Sequence, residues 1–267
     1  MDEMPRFGLG TYQNEDHEQC VESVRTALDV GYRNVDTAQM YDNEAAVGEG
    51  IAAADADREE IFLASKLDTG NLSYRNVLET TPESAERLGV DALDLMYVHW
   101  PLDSYDPDET LPALDELRED GTVRQVGLSN FRPDQLDEAI ETLDAPLYAH
   151  QVEMHPLLQQ EELQKYAVED DHLLVAYAPI ARGKVEEVAE VREVAEKHDA
   201  TPVQVSLAWL LAKENVVPIP KATGEEHIRE NYEAREVELD DEDVEKIDGI
   251  EREERLVDFD EAPWNQG

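Results

Sequence analysis

Asp36, Tyr41, Lys66 and His99 are the residues of this chain whose types and spacing carry the most chemistry, because each stands at or just past an apolar run. GYRNV precedes Asp36, IFLAS precedes Lys66 and LDLMYV precedes His99, while Tyr41 follows the first run in DTAQMYDNE. Such runs read as buried strands. A lysine at the end of one lies near the core, where an unpaired ammonium is strongly disfavoured, so it needs a carboxylate partner, and Asp36 is the candidate. A phenol beside that pair suits general acid catalysis: a neighbouring cation stabilises the phenolate, lowers the phenol pKa from about 10 and eases proton donation to a developing alkoxide. The chemistry indicated is reduction of a carbonyl. Taken singly, each residue has a plainer reading: Tyr41 as packing, His99 as a satisfied core imidazole, Asp36 and Lys66 as a structural pair. Their joint occurrence at strand ends favours a site.

The elements that must position these residues alternate along the chain. Strand candidates lie at Tyr32 to Val35, Ile61 to Ser65, Leu93 to Val98, Val123 to Leu128, Leu147 to Val152, Leu173 to Tyr177 and Val216 to Ile219. Helical patterns fall between them, among them EQCVESVRTALDV, YRNVLETTPESAERLG, DETLPALDELRED, PDQLDEAIETL, EELQKYAVE, EVAEVREVAEKH and PVQVSLAWLLAKE. Strands alternating with helices of this length are parallel βαβ units. An eighth strand is expected near Arg235 to Val237, which makes the fold an α/β, (β/α)8 barrel, one domain over residues 1–267, with its chemistry at the C-terminal strand ends. Polar residues collect there: Ser129 and Asn130 after Leu128, Gln151 and Glu153 near the fifth run, Pro220 and Lys221 after Ile219. The open doubly wound sheet is the alternative, but GLGTY lacks the third glycine of a dinucleotide fingerprint. A phosphate-binding isomerase barrel would place a glycine-rich turn where this chain has VPIPKATGEEH.

The formal net charge is −43, from 65 acidic and 22 basic residues spread through every segment. Self-repulsion of that size destabilises a compact chain at low salt, and is screened in molar salt, where the Debye length is about 3 Å. The composition therefore points to a salt-rich cytosol, as in a haloarchaeon, and argues against nucleic acid and anionic membranes as partners. No apolar run approaches the roughly 20 residues of a membrane span, and MDEMPRFGLG lacks the features of a signal peptide, so the expected location is the cytoplasm. Cys20, the single cysteine, reads as a structural thiol, and no Cys/His cluster has metal-ligand spacing. His17, His150 and His155 have no spacing that raises them above ordinary packing roles, and Glu153 is expected to lie behind the site.

From Met4 to about Asn265 the chain carries, in order, GLGTY, GYRNVDTAQMYDNEAAVGEGI, DLMYVHWP, GTVRQVGLSNF, HQVEMHP, AYAPIARG and VPIPKATGEEHIREN. These motifs resemble the aldo-keto reductases, in particular the prokaryotic branch that includes the diketogluconate reductases. The resemblance implies NAD(P)H-dependent reduction of aldehydes or ketones, with no metal and no Rossmann fold. Tyr41 would be the acid, Lys66 would lower its pKa, Asp36 would hold Lys66, and His99 would orient the substrate carbonyl. The nicotinamide would stack on Tyr177, beside Pro179, with its carboxamide held by Ser129, Asn130 and Gln151. On their own, Ser129 and Asn130 read equally as helix caps and Tyr177 as core packing.

By the same resemblance Lys221, Thr223 and His227 face the adenosine 2′-phosphate, and Glu230 and Asn231 the adenine. His227 stands where relatives preferring NADPH carry an arginine, so the bidentate guanidinium is missing; NADPH remains the expected cofactor through Lys221, with NADH also used. The chain is expected to begin at the second strand of the family's N-terminal hairpin. LDTGN follows Lys66 where many relatives have a tryptophan, leaving Tyr12, Trp100 and Trp264 as candidate walls of a more open, polar pocket suited to small polar aldehydes, ketoacids or keto-sugars. A monomer is the family expectation. The other class of function considered is a nicotinamide-binding sensor or interaction subunit with little turnover.

Overall fold

In this computed structural model, residues 3–266 are described; residues 1, 2 and 267, the ends of the expected domain, lie outside them. The strands are β1 (Leu9–Gly10), β2 (Asn34–Asp36), β3 (Phe62–Leu67), β4 (Leu93–Val98), β5 (Val123–Ser129), β6 (Leu147–Glu153), β7 (Leu173–Tyr177) and β8 (Val216–Pro218). They pair in parallel in sequence order, from Leu9 opposite Val35 at one end to Ala176 opposite Pro218 at the other. Backbone N–H groups of Gly8 and Gly10 then donate to Pro218 O and Pro220 O, each at 3.1 Å, and join the last strand to the first. The sheet is thereby closed, and an α/β barrel is the result.

That seam corrects the expected eighth strand. Ala234–Glu236 is a 3₁₀ turn, and the slot is filled by Leu9–Gly10, which is the first strand of the barrel and not part of a preceding hairpin. Two residues, one of them glycine, show no apolar alternation, which is why counting apolar runs misses them. The glycine has a steric reason instead: a Cβ on Gly10 would stand 2.8 Å from Ile219 O, across the seam. GLGTY is thus a barrel-closing segment.

The helices are α1 (His17–Val30), α2 (Glu44–Ala53), α3 (Tyr74–Leu88), α4 (Pro107–Glu119), α5 (Pro133–Thr142), α6 (Glu161–Glu169), α7 (Ala189–His198), α8 (Pro202–Ala212), α9 (Glu225–Glu233) and α10 (Asp241–Asp248). α2, α9 and α10 do not figure among the helical patterns read from the sequence. In α2 the sequence EAAVGEGIAA is rich in small residues and has two glycines, which weakens any helical periodicity. Gly48 is needed there because a Cβ would meet Leu88 O, at the end of α3, at 2.5 Å.

Strand alternation sorts side chains into two environments. Phe62 and Ala64, Leu95 and Tyr97, Ala149, Val175 and Val217 pack with Met4 into the barrel interior. Val35, Leu63, Leu67, Met96, Val98, Val126 and Leu128 face the helices. Asp36, Lys66, His99, Ser129, Gln151 and Tyr177 have the inward parity and lie one step beyond the apolar interior layers. The N-terminal segment contributes Met4 to that interior cluster, its backbone N–H donating to the Tyr148 hydroxyl at 2.7 Å.

Closure through Gly10 makes a direct prediction. Gly10→Ala should lower the urea midpoint by an amount corresponding to about 1–3 kcal/mol, the usual cost of forcing atoms into a packed site. Gly70→Ala, whose Cβ would meet only Asp68 Oδ1 at 3.3 Å, is the control and should shift the midpoint little.

Candidate active site

Lys66 is completely buried near the end of β3, where the inward parity aims its four-carbon stem along the barrel interior. Its ammonium pairs with Asp36 Oδ1 and donates to Thr37 O at 2.8 Å. The other carboxylate oxygen, Asp36 Oδ2, accepts from Gln151 Nε2 at 2.8 Å, so the buried charge is shared between β2, β3 and β6. Burial lowers the ammonium's pKa below its ordinary value, and Asp36 opposes that shift.

Tyr41 ends a 3₁₀ turn, Gln39–Tyr41, immediately beyond β2. Its ring lies 5.0 Å from Lys66 Nζ, 5.6 Å from the His99 ring and 5.1 Å from the Tyr12 ring. Gln39 holds the turn: its Nε2 donates to Thr80 O and Ser84 Oγ of α3, and its Oε1 accepts from Asp68 N and Asn71 Nδ2 beyond β3. Tyr41 and Lys66 are thereby tied to one another through the loops that carry them. The direction of the Tyr41 pKa reverses the sequence expectation. Burial raises it well above the ordinary phenol value and Asp36 adds to the rise, because the ammonium of Lys66 is already committed to Asp36 and Thr37. Tyr41 therefore keeps its proton through the neutral range.

His99 is driven the other way. Burial, and then the positive charge of Lys66, push its pKa well below that of an ordinary imidazole, so the ring is neutral and has one N–H to donate. Its carbonyl accepts from Asn130 Nδ2 at 3.1 Å, which fixes the β4 end against the β5 end.

These groups open on a cavity of about 700 Å³. Asp36, Tyr41, His99, Ser129, Asn130, Gln151, Tyr177, Pro179 and Lys221 all line it, together with Tyr12 and Trp100. Asn130 has φ +65°, unusual for a residue with a side chain, and that turn is held by its N–H to Gln151 O (3.0 Å) and by the Tyr177 hydroxyl donating to Asn130 Oδ1 (2.9 Å). Thr223, two residues before α9, and His227, Glu230 and Asn231 on α9 lie outside that lining; His227 is exposed, 3.4 Å from Glu230 Oε2, and Asn231 is buried. Trp264 does not line the cavity as expected. It backs Trp100 at 5.6 Å, and the wall itself is made by Phe259 and Val257.

Sequence reading also missed Thr69, Asp103 and Arg182 in the lining. None follows an apolar run closely enough to be picked out, and Arg182 sits in a turn with φ +52° that no periodicity marks. Behind Lys66, buried Glu44 accepts from Ser65 Oγ at 2.6 Å and pairs with Arg87 at 2.7 Å. A separate polar cavity of about 330 Å³ beside that pair is lined by Gln39, Glu44 and Arg87, and by none of the four residues first singled out.

A profile of the Aldo/keto reductase family matches residues 6–252. The chain belongs to the aldo/keto reductase family. It is 39% identical over 255 residues to the glyoxal reductase of Bacillus subtilis, a match covering 95% of this chain and 91% of that protein. The crystal structure of a putative 2,5-diketo-D-gluconic acid reductase B superposes with a TM-score of 0.93 at 33% identity, covering 97% and 92% of the two chains. A mutant of Gox0644 crystallised in complex with NADPH superposes with a TM-score of 0.85 at 33% identity, covering 91% and 88%. The protein is an NAD(P)H-dependent oxidoreductase that reduces carbonyls to alcohols.

The reductase's own residues fit a nicotinamide cofactor. A partly exposed Tyr177 ring, held by its bond to Asn130, offers an aromatic face to a flat ring. The hydroxyl and side-chain amides of Ser129, Asn130 and Gln151 stand together in the cavity lining, a donor and acceptor set that suits a carboxamide.

The Lys66–Asp36 pair can be tested without cofactor. Asp36→Asn leaves a buried ammonium without its counter-charge and should destabilise the reductase by about 3–5 kcal/mol at pH 7. Lys66 has a folded pKa below its unfolded value, so it is destabilising where it must stay charged, and that penalty fades as pH rises toward 10.5 and the unfolded side chain also deprotonates. The variant deepens the depression, so its deficit against wild type in urea unfolding should narrow from pH 7 toward pH 10. A deficit independent of pH would mean that lost packing, not charge, is responsible.

Proposed function

We propose that Tyr41 is the proton donor of this reductase, acting on small, polar carbonyls such as dicarbonyls, keto-sugars and ketoacids. The observation that carries the reading is a protonated phenol at the cavity wall, its ring 5.0 Å from a buried ammonium and 5.6 Å from a neutral imidazole. When bound, the reduced nicotinamide supplies hydride to the carbonyl carbon. Tyr41 O–H and a His99 N–H would both donate to the carbonyl oxygen, stabilising the negative charge that grows on it, and Tyr41 would pass its proton to complete the alcohol. Lys66 would then offset the phenolate left on Tyr41, and Asp36, steadied by Gln151, would keep Lys66 in place. Phe259 and Trp100, their rings 5.1 Å apart, give the cavity an apolar side.

The charge distribution supports the substrate class. Asp36 is paired with Lys66, and Asp103 is the further carboxylate in the lining, bonded to Thr69 Oγ1 on the β3 and β4 loops. A hydroxylated or dicarbonyl compound finds hydrogen-bonding partners there. Lys221 and Arg182, on the β8 and β7 loops, are the cations of the lining and suit the phosphates of a dinucleotide.

For the cofactor we favour NADPH by a reduced margin, with NADH used as well. His227 lies beside Glu230, and Arg229 is drawn to Glu225 at 2.9 Å, so Lys221 is left as the main cation toward a 2′-phosphate. We further propose an enzyme of a salt-rich cytoplasm, on the strength of the −43 charge, and a monomer, as its family resemblance implies.

Loss of reduced-nicotinamide absorbance in molar KCl, with methylglyoxal as substrate, checks the mechanism and the cofactor together. Tyr41→Phe should lose at least about a hundredfold in kcat, within the range that general acid catalysis supplies; near-normal turnover would sink the assignment. The same assay should give a higher kcat/KM with NADPH than with NADH, and a ratio favouring NADH would overturn that preference. In wild type, both activity and thermal midpoint should rise between roughly 0.1 M and 2 M KCl as the acidic shell is screened.

A further inference from the structure

The segment from Arg252 to Gln266 follows the last helix and reaches the cavity with almost no regular structure of its own, a single 3₁₀ turn at Pro263–Asn265. Leu157 O accepts its Glu254 N–H at 2.7 Å, Lys184 pairs with the Glu254 carboxylate, and two further side chains grip its main chain near the cavity. Glu153, completely buried at the end of β6, accepts the backbone N–H of Leu256 at 2.7 Å and that of Val257 at 2.8 Å, with His155 Nε2 at 2.9 Å from the same carboxylate. Arg132, just before α5, donates from Nη1 to Pro263 O at 2.6 Å and Gln266 O at 3.1 Å, while Nε and Nη2 fork onto Asp134. One anchor grips the segment where it enters the site, the other where it leaves.

Two residues of the segment reach the cavity. Val257 and Phe259 line the cavity, the Phe259 ring lies 5.1 Å from Trp100, and Trp264 packs against Trp100 under the guanidinium of Arg255. Trp100 in turn follows His99 directly. Both anchors bind main-chain groups, so the grip does not depend on which side chains the segment carries. A carboxylate buried this completely is costly unless fully hydrogen-bonded, and its bonds go to the segment and to His155. An apolar residue would have served if covering the strand end were all that was needed; the paired N–H bonds fix register.

We propose that Glu153 and Arg132 are positioning residues that set substrate selection, clamping the C-terminal segment so that Val257 and Phe259 complete the cavity that Tyr12, Tyr41 and Trp100 also line. The proposal rests on the reading of that cavity as the active site. Releasing the clamp leaves the catalytic groups untouched and opens the pocket, so small substrates lose contacts while bulky ones gain room.

Arg132→Ala, at a partly exposed position, is the first variant, with Phe259→Ala removing the wall itself and Arg132→Lys restoring a donor. With NADPH as cofactor, Arg132→Ala should raise KM for methylglyoxal about fivefold with kcat changed less than about twofold, and should raise kcat/KM for phenylglyoxal relative to methylglyoxal. Phe259→Ala should show the same change in the substrate ratio, and Arg132→Lys should recover part of it. In the ligand-free protein, tryptophan emission of Arg132→Ala should shift to longer wavelength as the Trp100–Trp264 contact opens. An unshifted emission, or a shifted emission with an unchanged substrate ratio, overturns the proposal. Full turnover by Tyr41→Phe would instead remove the active-site reading while leaving the emission result standing, so the two failures are distinguishable.

Discussion

A buried ammonium is the constraint around which this reductase is organised. Lys66 is fully enclosed, and a charge in that position is tolerable only with a counter-charge and hydrogen bonds that stay in place. Asp36, Thr37 O and, through Asp36, Gln151 meet that need from the ends of β2 and β6. The same requirement fixes β2, β3 and β6 relative to one another at the end of the barrel where Tyr41 sits. Because the ion pair consumes the charge of Lys66, the phenol is not acidified in the ligand-free protein; burial dominates and Tyr41 keeps its proton. With Tyr41 as the proposed donor, the same arrangement keeps the proton in place and sets an ammonium 5.0 Å from the ring to offset charge once the proton leaves.

The cavity and the surface follow opposite electrostatic rules. The shell of the protein is strongly anionic, with 65 acidic residues against 22 basic ones, and would repel a dinucleotide at low salt. Lys221 and Arg182 face the cavity from the β8 and β7 loops and outnumber Asp103, while Asp36 is cancelled internally. Screening by salt weakens the long-range repulsion of the shell more than the short-range contacts within the cavity. A highly acidic protein can in this way still present a cationic approach to an anionic cofactor.

Much of the site was legible because barrel geometry turns sequence parity into position. Asp36, Lys66, His99, Ser129, Gln151 and Tyr177 each continue the inward-facing row of a strand, and the apolar runs before them revealed both the strand and its end. The eighth strand was misplaced because Leu9–Gly10 is two residues long, one of them glycine; its identity depends on a steric fit across the seam to Ile219, which no local pattern expresses. Helix α2 escaped for a related reason, its Gly48 serving a contact with the end of α3.

The sequence by itself determined the alternation of strands and helices, the inward parity of Asp36, Lys66, His99, Ser129, Gln151 and Tyr177, and the need of Lys66 for a carboxylate, because these follow from local periodicity and the cost of burying charge. Only the tertiary structure decided how the barrel closes, that burial outweighs the cation in setting the state of Tyr41, and that Glu153 and Arg132 reach residues 103 and 131 positions along the chain to grip the segment bearing Phe259. Those outcomes depend on distances between residues far apart in sequence, and such distances exist only once the chain has folded.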